Sequence, residues 1–199
     1  MEHNQDILVC AIDEILRPTD FVRRKRTWRL TKPDTVLVVD LRKSRWSESF
    51  IVELGVSVRQ LSDDENPVFW KCHIRGSLTS MAIRKAQVTS KATAVDNPVI
   101  QKLRENPLRS IHLTAEDVQA SQKCPHPSDL SQALDFEDQT VDEAFRTTAV
   151  AAALTELALP FFERFGSLAA IKQSLIDPLN RSIAASGSVF ELLGVPING

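Results

Sequence analysis

The spacing of apolar side chains divides the chain into a helix, a series of strands and a later group of helices. In residues 4–16 the apolar side chains recur every three or four positions, which is the spacing of one helical face. Arg17-Pro18 follows this segment, and a residue that precedes proline avoids the α-helical region. We therefore predict an amphipathic helix over residues 4–16 that packs against the rest of the fold.

Strands are predicted next along the chain. Residues 27–30 and 35–41 flank a short polar break and predict a hairpin. Residues 36–39 are so apolar that we expect the second of these strands to be covered on both faces. Residues 50–58 and 69–75 alternate apolar and polar side chains, which predicts two half-buried strands. Because parallel strands need long crossover connections and these breaks are short, the pattern favours an antiparallel meander.

The sequence predicts helices in the last third of the chain, whereas residues 80–128 show few patterns typical of helices or strands. Residues 80–128 contain four prolines and only short helix starts, at Asn97 and Thr114. The apolar side chains of residues 150–157 line one helical stripe, which Pro160 is expected to end. Two more helices are predicted, the first beginning at Gly166-Ser167 and the second beginning at Asp177-Pro178 and ending at Gly187.

These segments predict a single α+β domain over residues 1–199. We expect an antiparallel β-meander sheet of about four to five strands, with an N-terminal helix and a C-terminal helical bundle packed mainly on one face. The helix and sheet should span about residues 4–78, an irregular middle about 79–140, and the C-terminal helices about 141–194.

The composition is typical of a globular protein, with 43% hydrophobic and 25% charged residues. The formal net charge of −2 argues against a nucleic-acid or membrane partner. Three cysteines cannot all pair, which indicates reduced thiols and a cytoplasmic location. The longest uncharged apolar stretch, residues 147–155, is far shorter than the roughly 20 residues that span a bilayer, and the N-terminus has no signal-peptide pattern. We expect a monomer or a weak homodimer.

Four segments of the chain resemble a known family. They are residues 15–28 with Ile15-Leu16-Arg17-Pro18, Phe21 and Trp28; residues 39–56 with Val39-Asp40-Leu41-Arg42-Lys43-Ser44-Arg45-Trp46; Cys72-His73-Ile74-Arg75-Gly76; and Leu159-Pro160-Phe161-Phe162-Glu163-Arg164-Phe165. In this order they resemble the bacterial family catalogued as domain of unknown function 4304. The resemblance implies the fold and brings no established activity with it.

Charge is unevenly distributed along the chain. Residues 17–46 hold ten lysines and arginines against three aspartates, and residues 105–145 hold nine acids against two bases. A basic ribbon with a nearby indole could contact phosphates and stack on bases. A solvated hairpin that discourages edge-to-edge association, or one neutralised by the acidic segment, explains the same residues and is the preferred interpretation. The nucleic-acid candidates are Arg23, Arg24, Lys25, Arg26 and Trp28.

A second candidate site lies on the predicted polar face of the sheet. Alternation in residues 69–75 places Lys71, His73 and Arg75 on one face, where side chains of neighbouring strands could join them. A carboxylate beside a histidine tunes the histidine pKa toward neutrality, so this face could bind an anion or serve acid–base chemistry. An ordinary cross-strand ladder of charges is the preferred alternative. The candidate ligand-binding or partner-binding residues are Arg42, Arg45, Trp46, Glu53, His73 and Arg75.

Catalytic and cofactor motifs are missing from the sequence. It contains no Gly-x-Ser-x-Gly, His-Glu-x-x-His, Gly-x-Gly-x-x-Gly or Cys-x-x-Cys pattern. Cys72 and His73 should point to opposite faces of a strand, so they do not predict a metal site. We therefore expect no cofactor and no metal. The leading hypothesis is a non-enzymatic protein-binding module of immunity type or regulatory type, whose partner is another protein. Nucleic-acid binding, and small-anion binding or an unrecognised activity at the polar face, are the alternatives.

Overall fold

The structure, a computed structural model, describes residues 2–86, 126–176 and 184–195 of the chain. Within these residues six antiparallel strands lie side by side in chain order. The strands are β1 (Val22–Arg24), β2 (Thr27–Thr31), β3 (Thr35–Lys43), β4 (Phe50–Val58), β5 (Ile74–Ser77) and β6 (Ala184–Ala185). The helices are α1 (Glu2–Leu16), α2 (residues 78–86), α3 (Pro127–Leu134), α4 (Glu143–Ala153), α5 (Leu159–Phe165), α6 (Leu168–Ile176) and α7 (Gly187–Leu193).

The predicted antiparallel meander is confirmed. Strands β1 to β5 follow one another in the sheet as they do in the chain, and the two-residue strand β6 pairs with β5. The sequence pattern does not predict β1, because all three of its residues are exposed and none alternates with a buried position. The chain turns from β1 into β2 at Lys25, whose φ of 60° lies in the left-handed region that tight turns often need.

The helices cover one face of the sheet, as the sequence predicts. The side chains of Leu37, Val39 and Leu41 on β3 point into this core, together with those of the alternate positions from Phe50 to Val58 on β4. The aromatic run at the end of the long helix closes the core, since Phe161, Phe162 and Phe165 are all buried. Rings of Phe161 and Phe165 lie 5.0 Å apart between centroids. The interior of the fold therefore sits between the sheet and the helices.

The second face of the sheet is partly covered by the connection between β4 and β5. Val36 and Val38 on β3 form a small buried cluster there with Cys72. The prediction that β3 is covered on both faces is thus confirmed. The prediction that residues 50–58 are half-buried is wrong, because Ile51 is the single residue of β4 that is not buried. The connection folds back over the second face and shields positions that the alternation assigns to solvent.

The predicted strand over residues 69–75 is also wrong in its first half. Phe69–Lys71 forms a 3₁₀ turn, in which the amide of Cys72 donates to the carbonyl of Phe69 at 3.0 Å. The strand begins at Ile74, so Cys72 joins the cluster on the second face while Ile74 enters the main core. The alternation of residues 69–73 is therefore not the alternation of a pleated strand.

Pro160 does not end the helix that precedes it. A π turn, Leu154–Ala158, joins α4 to α5, and the amide of Leu159 donates to the carbonyl of Leu154 five residues earlier. A proline in a regular α-helix would clash with the carbonyl four residues before it, and the wider π turn relieves that conflict. The chain therefore stays helical from α4 through α5.

Other helix predictions have mixed outcomes. The start of α6 after Gly166-Ser167 is confirmed. Gly187 begins α7 and does not end a helix. The middle predicted as irregular is helical at both of its described ends, in α2 and α3. The helix starts predicted at Asn97, Thr114 and Asp177-Pro178 lie outside the described residues.

Candidate functional site

A row of polar side chains crosses four strands on the second face of the sheet. The strand register places Thr27 opposite Asp40, Asp40 opposite Glu53, and Glu53 opposite Ser77. The hydroxyl of Thr27 donates to Asp40 Oδ1 at 2.7 Å. Two acidic side chains therefore occupy neighbouring positions in the middle of the sheet, where cross-strand neighbours interact directly.

Glu53 is the most enclosed member of this row, with 6% of its surface exposed. Arg42 Nη2 lies 2.8 Å from Glu53 Oε1, whereas the buried Oε2 has no hydrogen-bond partner. Burial raises the pKa of Glu53, Arg42 opposes that rise, Asp40 adds to it and Arg75 opposes it. Because removing a carboxylate from water favours its neutral form, Glu53 is a carboxyl group whose protonation depends on its two cationic neighbours.

Arg42 and Arg75 lie on the two strands that flank Glu53. On β3, Arg42 stands opposite Ile51, and on β5, Arg75 stands opposite Gly55. Glu53 is midway between Ile51 and Gly55 on β4, so the three charged residues share one face in a diagonal line. Both arginines are exposed to solvent. The structure thus brings together three of the side chains that the sequence suggests for this face.

His73 and Lys71 are not part of this cluster. The His73 Nδ1 atom accepts a hydrogen bond from the amide of Val58 at 2.9 Å, so this nitrogen carries no proton and the other ring nitrogen carries it. Burial lowers the pKa of His73, which keeps the ring neutral. Lys71 lies in the 3₁₀ turn and pairs with Asp64 at 3.4 Å. The side chain of His73 thus accepts from the backbone at the end of β4 and has no carboxylate partner among the described residues.

Arg45 and Trp46 lie apart from the cluster, in the loop formed by residues 44–49 between β3 and β4. Trp46 is 95% exposed, and Arg45 beside it is exposed as well. The loop is closed by a hydrogen bond from the amide of Ser44 to the carbonyl of Ser49 at 2.8 Å. We call residues 44–49 the Trp46 loop.

The Trp46 loop is held against the segment that follows α3. The amide of Phe136 donates to the carbonyl of Glu48 at 3.1 Å, and Ser49 forms an isolated β-bridge with Asp135. The amide of Glu48 also donates to Glu137 Oε1 at 3.3 Å. An exposed indole therefore sits on a loop whose backbone is tied to the body of the protein.

Arg146 on α4 organises the supporting segment, and the sequence pattern does not single it out. The residue is 3% exposed, and its guanidinium stands 4.0 Å from the centre of the Phe136 ring. Burial lowers the pKa of this guanidinium, although Asp135 and Asp138 oppose the change. Its side chain donates to five backbone carbonyls, those of Gln132, Ala133, Asp135, Asp138 and Val141. Gln132 and Ala133 lie in the last turn of α3, and the other three carbonyls belong to the segment between α3 and α4.

The basic hairpin formed by β1 and β2 exposes no indole for stacking on a base, because Trp28 is buried. Trp28 is 1% exposed, and its Nε1 donates to Asp13 Oδ1 at 2.6 Å. Arg23 also pairs with Asp13, at 3.3 Å. Arg24 and Lys25 are exposed at the tip. A buried indole cannot stack on a base, so Trp28 is a core residue and the prediction for it is wrong.

An open groove of about 250 Å³ is lined by Cys10, Asp13, Glu14, Arg17 and Pro18. Across the described ranges there is no group of three or more His, Cys, Asp or Glu side chains that could hold a metal ion. Nor does any helix in those ranges combine the length and apolar character needed to cross a membrane.

Comparison with known proteins agrees with the resemblance. A family model described as "Domain of unknown function (DUF4304)" matches residues 12–164, from the middle of α1 into α5. No curated protein and no solved structure matches the chain. The match covers the polar row, the Trp46 loop and the segment that supports it.

Proposed function

We propose that this chain, which belongs to the DUF4304 family of domains of unknown function, is a non-enzymatic protein-binding module that contacts its partner through the Trp46 loop. The observation that carries the proposal is the position of Trp46, whose side chain is 95% exposed at the tip of a braced loop. Such a protein would act by covering part of a partner, as regulatory or immunity-type proteins do.

An exposed tryptophan has a large free energy to gain from contact. An aromatic side chain of this kind buries roughly 150–250 Å² when it is covered. Tryptophan and arginine are the residue types most enriched among the few that dominate binding energy at protein interfaces. Trp46 and Arg45 are neighbours on the Trp46 loop, and both are exposed.

The loop also has little freedom to lose on binding. Its ends are joined by the bond between Ser44 and Ser49, and its far side is bonded to Phe136. Phe136 in turn packs against the buried guanidinium of Arg146. Ordering a loop reduces the affinity of an interface, so a loop that is already held in place retains more of the contact energy.

The surroundings of Trp46 indicate what the partner should offer. Arg45 forms no ion pair within the parts of the chain that the structure describes. Lys43, by contrast, is paired with Glu48 at 2.9 Å. We therefore expect a protein with an apolar pocket that accepts the indole and with a carboxylate near Arg45, because complementary charge favours the correct partner.

The experiment compares two tryptophans. Tagged wild-type protein, Trp46→Ser and Trp70→Ser are used to capture proteins from native lysate, and a protein recovered in stoichiometric amount is then purified and titrated by calorimetry. Trp70 is a matched control, since it is also exposed, at 61%. We expect Trp46→Ser to weaken binding at least about thirtyfold, which is the loss typical of a dominant interface residue, and Trp70→Ser to leave it unchanged.

Circular dichroism establishes that both variants are folded. Equal affinity of Trp46→Ser and wild type for the purified protein would reject the proposal. Failure of the wild type to retain any stoichiometric protein would reject it too.

A further inference from the structure

We infer that the second face of the sheet binds a small dianionic oxyanion between Arg42 and Arg75, that this anion competes with Glu53 for Arg42, and that Glu53 takes up a proton when the anion binds. The site is independent of the Trp46 loop, so its test and the test of protein binding can fail separately.

Two guanidinium groups are placed to bind an anion on this face. Arg42 and Arg75 flank Glu53 along a diagonal of the sheet face. The side chain of Arg42 is 51% exposed although Nη2 contacts Glu53 Oε1 at 2.8 Å. A guanidinium has five N–H donors in a planar fork, so Arg42 has donors beyond the one that contacts Glu53. No ion pair of Arg75 occurs in the described parts of the chain.

The Glu53 carboxylate is only partly satisfied by its neighbours in the fold. Its Oε2 is buried and has no hydrogen-bond partner. Asp40, the neighbouring carboxylate, has a hydroxyl donor in Thr27. An ionised carboxylate with one oxygen left bare in the interior is costly, and its contact with Arg42 offsets part of that cost. An external anion whose oxygen atoms can all accept hydrogen bonds from guanidinium groups therefore competes well with Glu53 for Arg42.

Binding of the anion to Arg42 leads Glu53 to take up a proton. When Arg42 turns toward the bound anion, Glu53 keeps the repulsion of Asp40 and loses its contact with the guanidinium. One proton from solvent then binds the Glu53 carboxylate and converts it to a neutral carboxylic acid, while the bound anion keeps both of its charges. Burial already raises the pKa of Glu53, which makes this uptake easier. The charged groups facing Glu53 are Asp40 and Arg42 from β3 and Arg75 from β5.

The ligand class follows from the donors. Planar guanidinium groups bind phosphate and carboxylate oxygens through two parallel hydrogen bonds. Two such groups on either side of Glu53 suit a small molecule with two negative charges, such as a phosphate monoester or a dicarboxylate. The shared chemistry is a compact dianion with exposed oxygen atoms.

The experiment uses sulfate as the probe, because its charge does not change over the pH range involved. Sulfate binding to the full chain is followed by calorimetry and by NMR shifts of the Glu53 side-chain carboxyl carbon, at about pH 5 and about pH 7.5, with chloride balancing the ionic strength. We expect binding that is about tenfold tighter at the lower pH. Titrations with phenyl phosphate and with succinate then distinguish a phosphate ligand from a dicarboxylate ligand.

Three variants separate this site from general attraction of anions. Glu53→Gln should bind sulfate more tightly than wild type at about pH 7.5 and should lose the pH dependence, because the competitor and the titrating group are both removed. Arg75→Gln should bind about tenfold more weakly. The control is Arg59→Gln, which removes the same charge from an exposed position in the turn after β4 and should bind as wild type does.

Three results would overturn the inference. One is equal sulfate affinity in Arg75→Gln and Arg59→Gln, which would indicate only general attraction. Another is a Glu53→Gln protein that binds no more tightly than wild type and keeps the same pH dependence. A direct contact between Glu53 and the anion would give the reverse of the expected order, with Glu53→Gln binding more weakly, and it would also reject competition.

Discussion

Cys72 lies so close over Gly55 that a Cβ atom on Gly55 would stand 2.6 Å from Cys72 Sγ and 2.9 Å from Cys72 Cβ. The contact joins the middle of β4 to the connection that covers the second face of the sheet. Gly55 thus lets the connection approach the strand, because any other residue would push it away.

The first prediction follows from this contact. Gly55→Ala should lower the free energy of unfolding by roughly 1–3 kcal/mol, as overpacking of a close-packed site does. Urea unfolding measures the change. Gly76→Ala is the control, since its Cβ would meet the flexible end of Met81 at 3.0 Å and the side chain can move. An equal loss in both variants would show that the contact with Cys72 is not the cause.

The second prediction concerns Arg146. Arg146→Met should lower the free energy of unfolding by about 2–4 kcal/mol, because five buried or partly buried carbonyls would lose their hydrogen bonds to the guanidinium. Arg146→Lys should recover little of this, since one ammonium cannot reproduce a planar fork of donors. Chemical unfolding measures both variants.

Hydrogen exchange extends the test of Arg146 to the Trp46 loop. The amides of Ser44 and Phe136 are bonded across the loop and its support, so they should exchange faster in Arg146→Met than in wild type. Unchanged exchange at these two amides would show that the loop does not depend on Arg146 for its position.

The third prediction is a dependence of stability on pH through His73. Burial lowers its pKa below the ordinary value of 6.5, so the folded protein binds fewer protons here than the unfolded chain does. The contribution of His73 to stability is therefore complete above that ordinary pKa and is lost as the pH falls below it. Protonation also removes the acceptor for the amide of Val58.

Two substitutions check this prediction. His73→Asn keeps an acceptor oxygen and has no titrating group, so the part of the acid loss due to His73 should disappear. His73→Ala should be less stable than wild type by about 1–2 kcal/mol at neutral pH, because the amide of Val58 loses its partner. The free energy of unfolding is measured as a function of pH. If His73→Asn follows the wild-type curve throughout, His73 does not titrate as stated.

The fourth prediction concerns Trp28, which is buried in the core and bonded to Asp13. Trp28→Phe should lower the free energy of unfolding by roughly 1–3 kcal/mol, because the indole N–H to Asp13 is lost at a buried position. Trp70→Phe, at an exposed position, should change it by less than about 0.5 kcal/mol. Thermal and urea unfolding provide the measurement, and similar losses in the two variants would contradict the role assigned to Trp28.

Much of the fold could be predicted because its signals are local. The strands at residues 35–41 and 50–58 carry dense β-branched residues, and their pairing follows from the short breaks between them. The strand predicted at residues 69–73 is absent, because these residues form a 3₁₀ turn and its following residues, which pack Cys72 onto β3 and β4. That turn covers the second face of β4, and the sequence of β4 itself does not predict that this face is buried.

The candidate site was less predictable than the fold. Arg42, Glu53 and Arg75 could be grouped from strand periodicity, because side chains two positions apart share a face. His73 could not be excluded in the same way, since its role depends on the amide of Val58, fifteen positions away. Arg146 could not be recognised at all, because its carbonyl partners lie in a preceding helix end and loop and leave no mark on α4.

The sequence by itself determined the order of helix, meander and helices, because hydrophobic periodicity acts within each segment and selects its conformation. Only the tertiary structure decided that Trp28 is buried while Trp46 is exposed, and that Glu53 is enclosed between two arginines. The reason is that burial and charge pairing depend on which distant segments cover a residue. The two tryptophans have the same side chain, and the surrounding fold alone makes one a core residue and leaves the other exposed.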